Sequence, residues 1–146
     1  MPTPLKDLAV TRRGVHLGKT QVDPANGEPH RAVKIKNIQS GTLAGPEDLD
    51  LAHLVAAKSL RHVLSDGDIL VAVTGANPKV ALVPKSHSGC VANQGLAVVS
   101  PVSGEARARL VDYLSSEAGQ EALRGLQTGV VIPSIKTADL GGLLIP

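Results

Sequence analysis

The sequence predicts an α+β fold: a β-rich, mixed-sheet body over residues 1–100, then a helical pair and a closing strand over residues 101–146. Three observations carry this. In the first hundred residues the apolar side chains come in short runs bounded by Gly, Pro, Asn and Asp, the signature of strands and turns. From Gly104 onward they recur at helical spacing instead. The chain holds 15 Gly and 10 Pro among 146 residues, too many breakers for a helical bundle, and that length suits one domain rather than two.

The elements follow in order. Asp7-Leu8-Ala9-Val10, running into Thr11-Arg12-Arg13-Gly14, reads as a short strand. The Pro, Asn and Gly of residues 23–29 mark a loop. Residues 30–38 alternate basic and apolar side chains, so they predict one strand with a buried face and with Arg31, Lys34 and Lys36 outside. Acidic residues lead an apolar stretch over 47–57, which predicts a short helix with a complemented dipole. Residues 60–64 and 69–73 flank Ser65-Asp66-Gly67-Asp68, which reads as strand, tight turn, strand. Further strands are expected at 80–83 and 96–99, with loops at 74–79 and 85–89 between them. Ser103 is a plausible N-cap for a helix over 104–114. A second helix is expected over 116–127, closed by Gly129, then a short buried strand at 130–132 and a last apolar segment to Pro146.

Composition excludes several functions. The hydrophobic fraction is 42% and the mean hydropathy +0.09, yet there is no Trp, no Phe and one Tyr, so the core is built from Leu, Val, Ile and Ala. Single-strand readers hold bases on exposed aromatic faces, and aromatic cages hold methylated cations; neither can be assembled from one tyrosine. No stretch is long and apolar enough to span a membrane, and residues 1–6 lack the pattern of a secretory leader, so a soluble cytoplasmic protein is expected, with no membrane partner. The one cysteine, Cys90, rules out an internal disulfide and suits a reducing compartment.

Charge is informative in its distribution. Residues 1–40 carry seven basic and three acidic side chains, residues 41–70 two and five, residues 71–100 two and none, and residues 101–146 four and five. Two basic blocks therefore flank an acidic one, and brought together in space they would form the positive face of a polyanion binder.

The chemical motifs narrow the field further. Gly14-Val15-His16-Leu17-Gly18-Lys19-Thr20 is one residue short of a phosphate-cradling P-loop, and Asp23-Pro24 follows where its helix should run. His87 and Cys90 form an H-x-x-C pair, but no second pair completes a zinc site, and a lone cysteine is most often a small buried apolar residue. Asp66 and Asp68 bracket a turn glycine, where Asp serves the backbone. No metal, cofactor or catalytic set is expected. What remains is a series of loops rich in the side chains that contact phosphates and base edges: Arg12, Arg13 and Lys19; Lys34, Lys36 and Asn37; Thr74, Asn77 and Lys79; Lys85, Ser86 and His87.

These residues fall within a pattern that resembles the target recognition domain of type I restriction-modification specificity subunits. The matching pieces appear in the family's order: Pro4-Leu5 with Arg13-Gly14-Val15; Val33-Lys34-Ile35-Lys36-Asn37-Ile38 with Gly41; Leu64-Ser65-Asp66-Gly67-Asp68-Ile69-Leu70; Thr74-Gly75 with residues 79–83; Tyr113-Leu114-Ser115-Ser116 with Gly119-Gln120; Thr128-Gly129; and Leu140 leading to Ile145-Pro146. The resemblance implies a β-rich domain that grips duplex DNA and reads one half of a split target. It also implies that methylation and cleavage belong to a modification subunit and a restriction subunit. A full specificity subunit carries two such domains joined by long helices. The chain is therefore expected to be a lone recognition domain, serving a partner enzyme or pairing with itself as a homodimer on a two-fold site. The alternative function is an adaptor or regulator of such an enzyme without DNA reading of its own.

Overall fold

The computed structural model describes residues 1–16, 28–54 and 63–146. Its centre is a four-stranded antiparallel sheet in the order β2-β10-β7-β8, built from Ala9–Arg13, Leu96–Pro101, Ile69–Ala72 and Val80–Leu82. Both faces of this sheet are covered, and the period-two geometry of its strands divides the core between them. Ile69, Val71, Val80, Ala97 and Val99 point into one cluster, shared with Leu110, Leu114, Leu123 and Leu140 of the helical part. Leu70, Ala72, Ala81, Leu96 and Val98 point into the other, shared with Val33, Ile38, Leu43 and Cys90. Each fully buried Leu or Ile contributes about 1.5–3 kcal/mol, so the interior needs no aromatic ring.

A second sheet lies on the non-helical side, in the order β6-β3-β9 from Asp50–Leu54, Glu28–Val33 and Val91–Ala92. Its β3–β6 pair is antiparallel and its β3–β9 pair parallel, so the architecture is mixed-sheet. A small hairpin joins β4 (Ile38–Gln39) to β5 (Thr42–Leu43) through Ser40 and Gly41. Both turn residues have positive φ, 52° and 78°, the geometry that matches strand twist in a two-residue turn. The helical layer comprises α1 (Gly104–Ser115), α2 (Glu117–Gly125) and α3 (Thr137–Gly141). Ser103 and Ser116 cap the first two, accepting from the Ala106 and Gly119 amides at 3.0 Å each. Finally, β1 (Thr3–Pro4) pairs with β11 (Leu144–Ile145), and Arg109 donates to the carbonyls of Met1, Ile145 and Pro146 beside them.

The α+β class and the two main helices agree with the sequence reading, and five local expectations are corrected. Residues 47–54 are not helical: a 3-10 turn at Pro46–Asp48 leads into β6, where Ala52 and Leu54 are buried and Leu51 is exposed. Acidic residues ahead of an apolar stretch fit either element, and pairing with β3 decides for the strand. The single strand expected over 30–38 ends at Val33, because the Asn37 side chain accepts the Lys34 amide at 2.8 Å and closes a 3-10 turn at Ile35–Asn37. The turn at residues 65–68 exists, but β7 pairs with β8 and β10, while Val63 bridges Val91, so it joins no hairpin. Residues 55–62, which held the end of the expected helix and the start of the expected strand, lie outside the described residues. Residues 130–132, expected as a buried strand, form an exposed bend, and α2 ends at Gly125 rather than Gln127.

Candidate nucleic-acid interface

Three adjoining depressions lie where the central sheet meets the second sheet and the β4–β5 hairpin. The first, of about 520 Å³, is lined by Arg13, Lys34, Ile35, Lys36, Thr74, Asn93, Gln94 and Gly95. The second, about 290 Å³, shares Lys36 and adds Asn37, Gln39, Thr42, Leu43 and Ala44. The third, about 640 Å³, shares Gln39 and adds Ile38, Ser40, Gly41, Lys79, Val80, Ser115 and Gln120. Together they make a trough of cationic and amide side chains, and no carboxylate lines any of the three. Gly95 keeps the floor of the first open, since a Cβ there would lie 3.0 Å from both Ile35 Cδ1 and Thr74 Oγ1.

The trough gathers six of the residues singled out in the sequence: Arg13, Lys34, Lys36, Asn37, Thr74 and Lys79. Strand geometry explains why Arg12 is not among them, since neighbours on β2 face opposite sides. Arg13 is exposed and donates through Nε to the Gln94 carbonyl. Arg12 turns towards the protein, donating to Ser100 Oγ at 3.2 Å and to the Val63 carbonyl at 3.0 Å, with Asp68 Oδ2 at 3.9 Å. Asp68 is buried and accepts from the Ser65 amide and from Ser100 Oγ, at 3.0 and 2.8 Å. Asn77, Lys85 and Ser86 are exposed on loops outside the trough. Lys79 donates to the Ile38 carbonyl at 3.1 Å, fixing the hairpin against β8. Lys19 lies outside the described residues.

His87 is buried, which removes it from any surface contact. Its Nε2 donates to the Ala44 carbonyl at 2.7 Å and its Nδ1 pairs with Ser86 Oγ at 3.0 Å. With both ring nitrogens so engaged, neither serves Cys90, whose thiol is buried and pushed above its ordinary pKa by that burial, with Arg31 partly opposing. The H-x-x-C pair is therefore part of the core and its edge, not a nucleophile with its base. Among the described residues no group of His, Cys, Asp and Glu is placed to hold a metal ion, and no helix is long and apolar enough to cross a membrane.

Two features of the trough escaped the sequence reading. Asp50, from the acidic block, sits on β6 opposite Ala32 of β3 and reaches Lys34 Nζ at 2.9 Å and Lys36 Nζ at 3.6 Å. The Lys34 hydrogen bond, aided by the charges of both lysines, holds its carboxyl below the ordinary value of 3.8. The other is Asn93 and Gln94, whose only signal was a pair of amides at a turn between two apolar runs. Amide side chains of this kind read base edges by bidentate hydrogen bonds.

No family model matches the sequence, and no curated protein is similar to it at the level of sequence. Solved structures are similar in fold. The S subunit of the type I restriction-modification system from M. genitalium superposes with a TM-score of 0.60 at 17% identity, over 99% of this chain and 33% of that one. The HsdS subunit from Thermoanaerobacter tengcongensis gives a TM-score of 0.68 at 17% identity, over 100% of this chain and 32% of that one. The chain has the fold of one part of an S subunit. A third structure, from a study of complex assembly and conformational transition in the type I system, agrees at a TM-score of 0.67 and 19% identity, covering 100% of this chain and 37% of that one. The chain thus spans about a third of the length of the S-subunit structures it matches, and the resemblance drawn from the sequence holds at the level of fold.

Proposed function

We propose that the chain is a non-catalytic, sequence-reading duplex DNA-binding unit of a restriction-modification or related defence system. It would act in the cytoplasm and direct a modification subunit, and through it a restriction subunit, to a target. The observation that carries this is the trough, in which Arg13, Lys34, Lys36 and Lys79 stand beside Gln39, Asn93 and Gln94, with Asp50 paired to Lys34 and Lys36 at its edge. Cations neutralise phosphates and set the register, while amides and arginine discriminate base edges. The S-subunit fold supports the same role.

The test is selection of bound duplexes from a random pool, followed by a salt titration of the winner. Binding is expected to weaken linearly on logarithmic axes with a slope of about −0.9 per phosphate neutralised. Arg13→Ala or Lys36→Ala each reduces that slope by about one if the side chain meets a phosphate, and relaxes the selected sequence if it meets a base. Absence of duplex binding at low salt, or binding blind to sequence, overturns the reading.

A further inference from the structure

Val130, Val131 and Ile132 are consecutive and respectively 102%, 91% and 67% exposed, in a chain whose other described valines and isoleucines mostly fill the core. Three neighbouring aliphatic side chains held in water mark a contact surface more often than chance. The bend that presents them is firmly anchored. Thr128 and Ser134 exchange both backbone hydrogen bonds at 2.8 Å, the Gly75 amide donates to the Pro133 carbonyl at 2.9 Å, and the Ile135 amide to the Val73 carbonyl at 2.8 Å. Gly129, at φ +106°, makes the reversal, and a Cβ there would lie 2.8 Å from the Ile132 carbonyl oxygen.

The anchor ties the base of the bend to the trough. Thr74 is bridged to Ser134 through its backbone and lines the trough beside Arg13, Lys34 and Lys36. The sequence around both partners is free of acid: none occurs between Asp68 and Glu105, nor between Glu121 and Asp139, while Lys79, Lys85, Arg124 and Lys136 fall in those stretches. Flanking chain of that charge suits a polyanion, and an occupant that meets both it and an apolar tip offers apolar groups between phosphates. A DNA groove does so through the thymine methyl.

We propose that residues 130–132 enter a groove of the bound duplex and pack on thymine methyl groups, so that the tip contributes to target choice alongside the hydrogen-bonding side chains of the trough. This rests on the duplex-reading function above. Short β-branched side chains suit methyl contact.

The experiment compares the intact chain with the triple variant Val130→Ser, Val131→Ser, Ile132→Ser on the duplex selected from the random pool, and on copies with uracil in place of each thymine in turn. Because the replaced side chains are exposed, the variant should keep the native melting temperature. For the unaltered chain, at least one uracil replacement should weaken binding about fourfold, the value of one buried methyl-sized group. The variant should lose that discrimination and keep the same salt slope. No thymine preference in the unaltered chain, or an equal preference in both proteins, overturns the proposal while leaving duplex reading intact. Absence of duplex binding by the unaltered chain overturns both. If the variant binds and discriminates normally but no longer co-purifies with a modification subunit, the tip is a protein contact and the proposal fails.

Discussion

Asp50 shows how one side chain can set the strength of a surface. It lies between Lys34 and Lys36 at the edge of the trough, and under the proposed function a duplex phosphate would compete with it for both ammonium groups. Its carboxyl is held below 3.8, so the ion pair favours the folded state above the ordinary carboxylate range, and this is lost as pH falls through the lowered value. A carboxyl-resolved NMR titration should find that midpoint below 3.8, moving upward in ~1 M salt, where screening acts within about 3 Å. Asp50→Asn is expected to tighten duplex binding at low salt and to steepen the salt dependence by up to about one further phosphate per freed lysine. An unchanged slope would mean that neither lysine meets the backbone. The acidic block from which Asp50 comes looked separate from the basic one along the chain. Only the β3–β6 register brings them together, and a register is a long-range fact that local pattern does not carry. Arg12 and Arg13 teach the converse lesson: strand alternation alone says that adjacent arginines face opposite sides, but which side faces the protein depends on β10 and Asp68.

At the scale of elements, legibility followed the strength of local capping. Both main helices were visible in the sequence, because Ser103 is a good N-cap and apolar residues recur at helical spacing, Leu110 and Leu114 on the first helix and Leu123 on the second. The two helices are separated by Ser116 alone, and Gly119 is what allows so short a join: a Cβ there would lie 1.7 Å from the Tyr113 carbonyl oxygen. Gly119→Ala should therefore push α1 and α2 apart and lower stability by about 3 kcal/mol, the upper part of the range for overpacking, measured by urea or thermal denaturation. A loss near zero would show that the helix pair can slide without cost. Strands were harder to read. The apolar run 130–132 resembles a buried strand by composition, and only the tertiary placement of Thr128, Ser134 and Gly75 turns it outward. The segment 50–54 has the opposite history, looking helical until a partner strand supplies its hydrogen bonds. β-Structure depends on what lies alongside, so its local signal is the weaker of the two.

Across the whole molecule, the central sheet is the part that does not depend on any one loop. Its strands send alternate residues into two clusters, one against the helices and one against the second sheet, so the trough-forming loops rest on a scaffold buried on both faces. That arrangement lets the loop residues vary while the support stays fixed. The two ends of the chain are part of the same scaffold: Thr3 pairs with Ile145, Pro4 with Leu144, and Arg109 bonds to both segments. A circular permutant that joins Pro146 to Met1 by a short Gly-Ser linker, opened between Val130 and Val131, should keep the native fold, with a melting temperature within several degrees of the original chain. Collapse of the permutant would show that the end pairing needs free termini.

Ends that emerge side by side give the fold a single point of attachment. A unit mounted in that way is a cartridge: exchanged for another of the same build, it leaves the length and direction of the supporting chain unaltered. Under the proposed function, replacing the whole fold would change specificity with no compensating change in whatever carries it.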